Sequence, residues 1–150
     1  MQPASRIPLR VAVRRSFVLL APLFAACSLA AWSREGHVLV RNYDYPPTLC
    51  DAMVVRSRWN GTSVMAMSDC GLGALDGVNA HGLAVAIAFG GRKVVGDGFG
   101  IGIVVRYVLE LAHDVPEALT MLERLPVHLA YNVALQDCGG RSAIAYLSPD

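Results

Sequence analysis

The chain has 150 residues, a net charge of +1, 54% hydrophobic residues and only 17% charged ones. That length supports one domain with a sizeable core and not comfortably two. Nothing in the charge balance suggests a nucleic-acid surface, and four cysteines without a Cys-x-x-Cys pair or a zinc-like Cys/His spacing give no reason to expect a metal or other cofactor.

Residues 1–26 stand apart. Arg6, Arg10, Arg14 and Arg15 precede the apolar run Ser16-Phe-Val-Leu-Leu-Ala-Pro-Leu-Phe-Ala-Ala26, with no acidic residue among them. The run is too short to span a bilayer. Two readings fit. One is a secretion signal, and Phe24-Ala-Ala-Cys27 even resembles a lipoprotein cleavage site. The other, slightly favoured, is a pro-segment lying on the domain and ending at Cys27. Pro3, Pro8 and Pro22 argue against a long helix there. The location is accordingly cytoplasmic, or exported if residues 1–26 act as a signal. Residues 27–150 read as the N-terminal part of one folded domain.

From Cys27 onward the pattern is strand-rich. Leu29 to Ala31 and Val38 to Val40 flank a turn at Glu35-Gly36. Met53 to Trp59 and Thr62 to Met67 flank Asn60-Gly61, a strong hairpin signal because both turn residues tolerate positive φ. Gly73 to Val78 and Leu83 to Phe89 are joined through Asn79-Ala-His-Gly82. The second is a continuous apolar run, expected of a strand covered on both faces. A glycine-rich loop, residues 90–100, follows.

Ile101 to Ala112 reads as a helix whose apolar face is Ile101, Val104, Val105, Val108 and Leu111. Asp114-Val-Pro-Glu117 is a capping box that opens a second helix, running to about Leu125 before Pro126. Tyr131 to Gln136 and Ser142 to Leu147 form a last hairpin. Several antiparallel strands, two helices and more strands predict an α+β domain with helices on at least one sheet face. The chain stops directly after a strand, so further strands are expected beyond it and the chain reads as incomplete at its C-terminus.

The chemistry centres on Cys27. If the first two strands pair, Arg41 and Asp44 return beside it. A cysteine attacks as its thiolate and needs a nearby cation or base. His37, His81, His113 and His128 all fall in turns or helix ends, where they read as solvated surface residues. An N-terminal α-amine is another solution, with an unperturbed pKa of about 7.7–8.0. Cutting Ala26–Cys27 would create it, and Asp44 could orient it. The plain alternative is a tethering or ordinary strand cysteine beside an Arg41–Asp44 ion pair. Cys50, Cys70 and Cys138 read as buried small hydrophobes.

Cys27-Ser, Gly36-His and Arg41-Asn-Tyr-Asp-Tyr45 together resemble the start of the N-terminal-nucleophile cysteine hydrolases, which include penicillin V acylases, the acid ceramidase group and penicillin acyltransferase. The resemblance continues through Asp76-Gly-Val-Asn79-x-x-Gly82-Leu-Ala-Val85, Ala88-Phe-Gly-Gly-Arg92, Arg106-Tyr-Val-Leu-Glu110 and Tyr131-Asn132. It covers nearly all of residues 27–150 and is closest to the acyltransferase-like branch. It implies an αββα sandwich, Cys27 as nucleophile with Arg41 and Asp44 beside it, and attack on a linear amide through a thioester. It implies a small-molecule amide or acyl-donor substrate.

Such chemistry needs an oxyanion hole. The position where relatives often carry an asparagine falls in Ile87-Ala88-Phe89 here, so a backbone N–H near Ala88 or Phe89 is the expected donor. A second asparagine and a further arginine of the family lie beyond residue 150. Asn79 is expected to shape its turn, with a site role as the alternative; Asn132 is open between the same two readings. Tyr45 is a candidate substrate contact. The glycine-rich loop is expected to border the pocket; its spacing fits neither dinucleotide nor P-loop fingerprints. Two other functions compete: a secreted or lipid-anchored binding protein tethered through Cys27, and an inactive truncated homologue.

Overall fold

The computed structural model describes residues 10–12, 27–46, 48, 50–69, 71 and 73–150. The strands are β1 (Arg10–Ala12), β2 (Ser28–Trp32), β3 (Val38–Asn42), β4 (Met53–Ser57), β5 (Val64–Ser68), β6 (Asp76–Asn79) and β7 (Ala84–Phe89). Helices α1 (Ile101–Leu111) and α2 (Val115–Leu122) follow, then β8 (Tyr131–Gln136) and β9 (Ser142–Leu147). Seven strands form one antiparallel sheet in the order β1-β9-β8-β7-β6-β5-β4, and β2-β3 form a separate hairpin.

Side-chain alternation divides the layers. Val85 and Ile87 of β7, Val133 and Leu135 of β8, and Ala143, Ala145 and Leu147 of β9 pack against α1 and α2. Their neighbours Ala86, Ala88, Ala134 and Ile144 form the other face, and Leu29, Leu39 and Cys27 of the hairpin pack on it. The molecule is therefore layered as helices, sheet, then hairpin. Alanines on the second face let the two sheets approach closely. On the helix side, each fully buried Val or Leu contributes about 1.5–3 kcal/mol, and Val104, Val105, Val108 and Leu109 of α1 are all sealed from solvent.

The structure departs from several sequence expectations. Asn60-Gly61 does not make a two-residue turn. Ser57 pairs with Val64, so residues 58–63 form a longer loop. Its tip docks on α1: Asn60 donates to Glu110, and the Arg106 guanidinium lies over the Trp59 ring. These long-range partners override the local turn preference. On α1, Leu109 is buried and Leu111 is exposed, which rotates the apolar face from the expected one. α2 ends earlier than expected, because Arg124 and Leu125 donate to carbonyls three residues back as the chain nears Pro126. Its cap holds as anticipated at Asp114, which accepts from the Glu117 N–H at 3.0 Å. The Glu117 carboxylate reaches His113, both its N–H and its ring, rather than Asp114.

β1 falls inside the basic N-terminal stretch, where no strand was expected; it pairs with β9, Val11 opposite Ala145. The rest of the signal or pro-segment reading, Ala26 included, lies outside the described residues. The glycine-rich loop is stitched along residues 126–130: Gly90, Gly96 and Phe99 donate to the carbonyls of Ala130, His128 and Pro126. α1 begins against residue 73, where Ala74 N–H donates to Gly102 O at 2.9 Å. A Cβ on Gly73 would lie 2.7 Å from Gly102 Cα, so this contact requires the glycine pair.

Candidate active site

The hairpin register sets the site. Ser28 lies opposite Asn42 and Leu29 opposite Arg41. Cys27 is two residues from Leu29, so its side chain shares the inward face, diagonal to Arg41. The Arg41 Nη2 donates to Cys27 Sγ at 3.4 Å, and Nη1 donates to Asp76 Oδ2 at 2.7 Å. The Arg41 side chain is only 5% exposed. Its guanidinium also lies 4.3 Å above the Tyr43 ring centre, and its Nε is buried without a partner. Packing, an ion pair and a ring face thus hold one cation against a half-buried sulfur. Leu29, Ala86, Ala88 and Ala134 make the apolar side of the cage.

Asp76 was not anticipated as the partner of Arg41. It opens β6, lies opposite Ala86 and so stands on the hairpin-facing side of the sheet. The available signal was its place as the first residue of Asp-Gly-x-Asn, which says nothing about a contact 35 residues away. Asp44 is exposed, and its carboxylate accepts from Asn42 Nδ2 at 2.5 Å. The hairpin therefore brings Arg41 to Cys27, while the acid on that arginine comes from the main sheet.

Tyr43 joins the same cluster. Its hydroxyl donates to Asp69 Oδ2 at 2.7 Å, and Asp69 Oδ1 accepts from the Asp51 N–H. Burial, and then the Asp69 carboxylate, push this phenol well above its usual range, so it remains a neutral donor. Tyr45 stacks on Tyr43, with ring centres 5.5 Å apart, and is 49% exposed. It extends the stack that begins at Arg41 toward solvent.

Asn79 is 5% exposed and fully engaged. Its Nδ2 donates to Leu109 O and Ala112 O, and its Oδ1 accepts from the His81 and Leu83 N–H groups. All four of its hydrogen-bonding positions serve the β6–β7 turn and the end of α1. Ala88 lies in the Cys27 cage, but its N–H is occupied. Gly90 N–H bonds Ala130 O on the β8 side and Ile87 N–H bonds Leu75 O on the β6 side, so alternation assigns the Ala88 amide to its partner Asn132. The Phe89 ring meets Tyr131 edge-on at 6.5 Å on the helix side, away from Cys27. Only its amide, directed toward β6 beyond the Ile87–Leu75 bond, remains suited to the expected role. Asn132 is half-buried and lies opposite Ala88.

All four histidines are exposed, and among the described residues none hydrogen-bonds Cys27. Cys50 is half-buried; Cys138, expected to be buried, is exposed in the β8–β9 turn, where Sγ reaches His81 O at 3.4 Å. Cys70 lies outside the described residues. Among the described residues no helix is long and apolar enough to cross a membrane.

Residues 32–150 match the acyl-coenzyme A:6-aminopenicillanic acid acyl-transferase family. The chain belongs to that family, within the acyltransferase-like N-terminal-nucleophile hydrolases, which points to an acyltransferase or amidohydrolase activity in general. The matched stretch begins at Trp32, beyond Cys27. A search of curated proteins finds no match.

Proposed function

We propose that Cys27 is the nucleophile of a hydrolase or acyltransferase acting on linear, non-peptide C–N bonds of a small-molecule amide or acyl donor. The observation that carries this reading is the Arg41 guanidinium, buried and held by Asp76, donating to Cys27 Sγ at 3.4 Å. Scission before Cys27 exposes its α-amine, which takes the thiol proton. The sulfur then attacks the carbonyl carbon; a C–S bond forms and the carbonyl π pair moves to oxygen. Collapse of this intermediate breaks the C–N bond, the departing amine takes the proton back, and a thioester remains. Water or a second amine then accepts the acyl group.

Arg41 stabilises negative charge on sulfur, and Asp76 positions Arg41. Asp44, just beyond the hairpin ladder at its open end, holds the α-ammonium. The Phe89 amide is one donor for the oxyanion. Tyr45 contacts the substrate at the mouth. The layering supports an αββα sandwich in which β2-β3 begins the second sheet.

Alkylation with iodoacetamide tests the nucleophile. In a Cys138→Ser background, which removes the exposed thiol, Cys27 is expected to react well ahead of Cys50 and Cys70. Arg41→Ala slows it about tenfold or more, as expected for losing a contact to a charged group. Equal labelling of the remaining thiols, indifferent to Arg41, defeats the reading.

A further inference from the structure

We infer that Tyr43 is a positioning residue of the same site: its ring fixes the tilt of the Arg41 guanidinium and so keeps Nη2 aimed at Cys27 Sγ. This rests on Cys27 being the nucleophile.

A guanidinium is planar, and its donors lie in that plane. Two donors of Arg41 are engaged: Nη1 to Asp76 Oδ2 at 2.7 Å and Nη2 to Cys27 Sγ at 3.4 Å. Two in-plane contacts leave the group free to rock about the line that joins them. Nε, which could supply a third, is buried without a partner. The Tyr43 ring supplies the missing restraint from outside the plane, with its centre 4.3 Å from Arg41 Cζ. The contact to sulfur depends on this most. It is the longer of the two bonds, so a small tilt loses it while the bond to Asp76 persists. The Arg41 side chain is 5% exposed, which leaves little room for water as a substitute partner and strengthens the attraction between cation and ring.

The ring is itself held in place. Tyr43 lies one residue past the end of β3, where Tyr45 N–H donates to Tyr43 O at 3.0 Å in a three-residue turn. At the far end of the side chain, the hydroxyl donates to Asp69 Oδ2 at 2.7 Å. Asp69 follows directly after β5, and its Oδ1 accepts from the Asp51 N–H at 3.1 Å. The ring is thus pinned at its backbone by the turn and at its hydroxyl by an acid from the main sheet. Tyr45 stacks on it with the two planes 11° apart. The ionisable groups around the phenol are Asp69, Cys50 and Arg41. Burial and the Asp69 carboxylate keep it neutral, so it presents the same ring face to Arg41 across the working pH range.

Alkylation of Cys27 by iodoacetamide, in the full chain carrying Cys138→Ser, separates this role from a structural one. Tyr43→Leu and Tyr43→Met remove the ring face and are expected to slow Cys27 about three- to tenfold. Tyr43→Phe keeps the ring and restores most of that rate. Placed on Arg41→Ala, Tyr43→Leu slows Cys27 by less than about twofold further, because its route to the sulfur is already gone. Equal slowing with and without Arg41, or Tyr43→Phe as slow as Tyr43→Leu, overturns the role of Tyr43 and leaves the nucleophile standing. An unchanged rate in both ringless variants does the same. If Arg41→Ala by itself leaves Cys27 unchanged, the nucleophile assignment falls, and Tyr43 with it.

Discussion

At the scale of single residues, two carboxylates near Cys27 have different partners. Asp76 holds Arg41 at 2.7 Å with the arginine side chain 5% exposed, whereas Asp44 is exposed and bonded by Asn42. Removing Asp76 leaves a buried cation without its counter-ion, a loss of up to about 3 kcal/mol given that Asp76 itself is partly solvated. Asp76→Asn is therefore expected to slow Cys27 alkylation at every pH and to lower the urea midpoint. Asp44→Asn acts otherwise. Without that carboxylate the α-ammonium loses its proton more readily, so in protein that begins at Cys27 the rise of rate with pH moves to lower pH. Rate–pH profiles of the two variants check both expectations; identical profiles would remove the distinction between the two acids.

At the scale of elements, Asn79 joins a strand turn to a helix end. One carbonyl of α1, the carbonyl of its C-cap residue Ala112 and two amides of the turn depend on it. Asn79→Ala leaves those buried groups unpaired and is expected to cost about 3 kcal/mol in urea unfolding. Asn79→Asp also destabilises, since it keeps the acceptor and loses both donors. A stable Asn79→Ala protein that has lost only activity would instead make it a site residue. The turn role was legible in Asn79-Ala-His-Gly82, because asparagine bonds its own backbone two residues on. Its grip on α1 was not, since 30 residues separate Asn79 from Leu109.

At the scale of the molecule, Asp137 ties three parts together. Its side chain is 2% exposed; Oδ2 accepts from the Val115 N–H at the start of α2 and from Arg141 Nε, and Oδ1 accepts from the Arg141 N–H. Burial alone would raise its pKa, but the two backbone amides and Arg141 outweigh burial and hold it below the usual value. A carboxylate depressed in the folded state adds stability that is complete above its unfolded pKa and is lost as pH falls through the folded one. Thermal stability is therefore expected to decline below about pH 4. Asp137→Asn should be less stable at neutral pH and show a shallower acid decline. An unchanged acid slope in the variant would locate the sensitivity elsewhere.

The sequence by itself determined β2 to β9, the two helices and the pairing of β2 with β3, because period-two alternation, capping residues and Gly36 act over a few residues; β1 was not legible in it. It also determined that Arg41 returns to Cys27, since one hairpin contains both. It misplaced the Asn60-Gly61 turn, where contacts to α1 prevail over local preference. Only the tertiary structure decided that Asp76 holds that arginine. Which acid meets a buried cation depends on how two sheets stack, and no local pattern along the chain encodes that register.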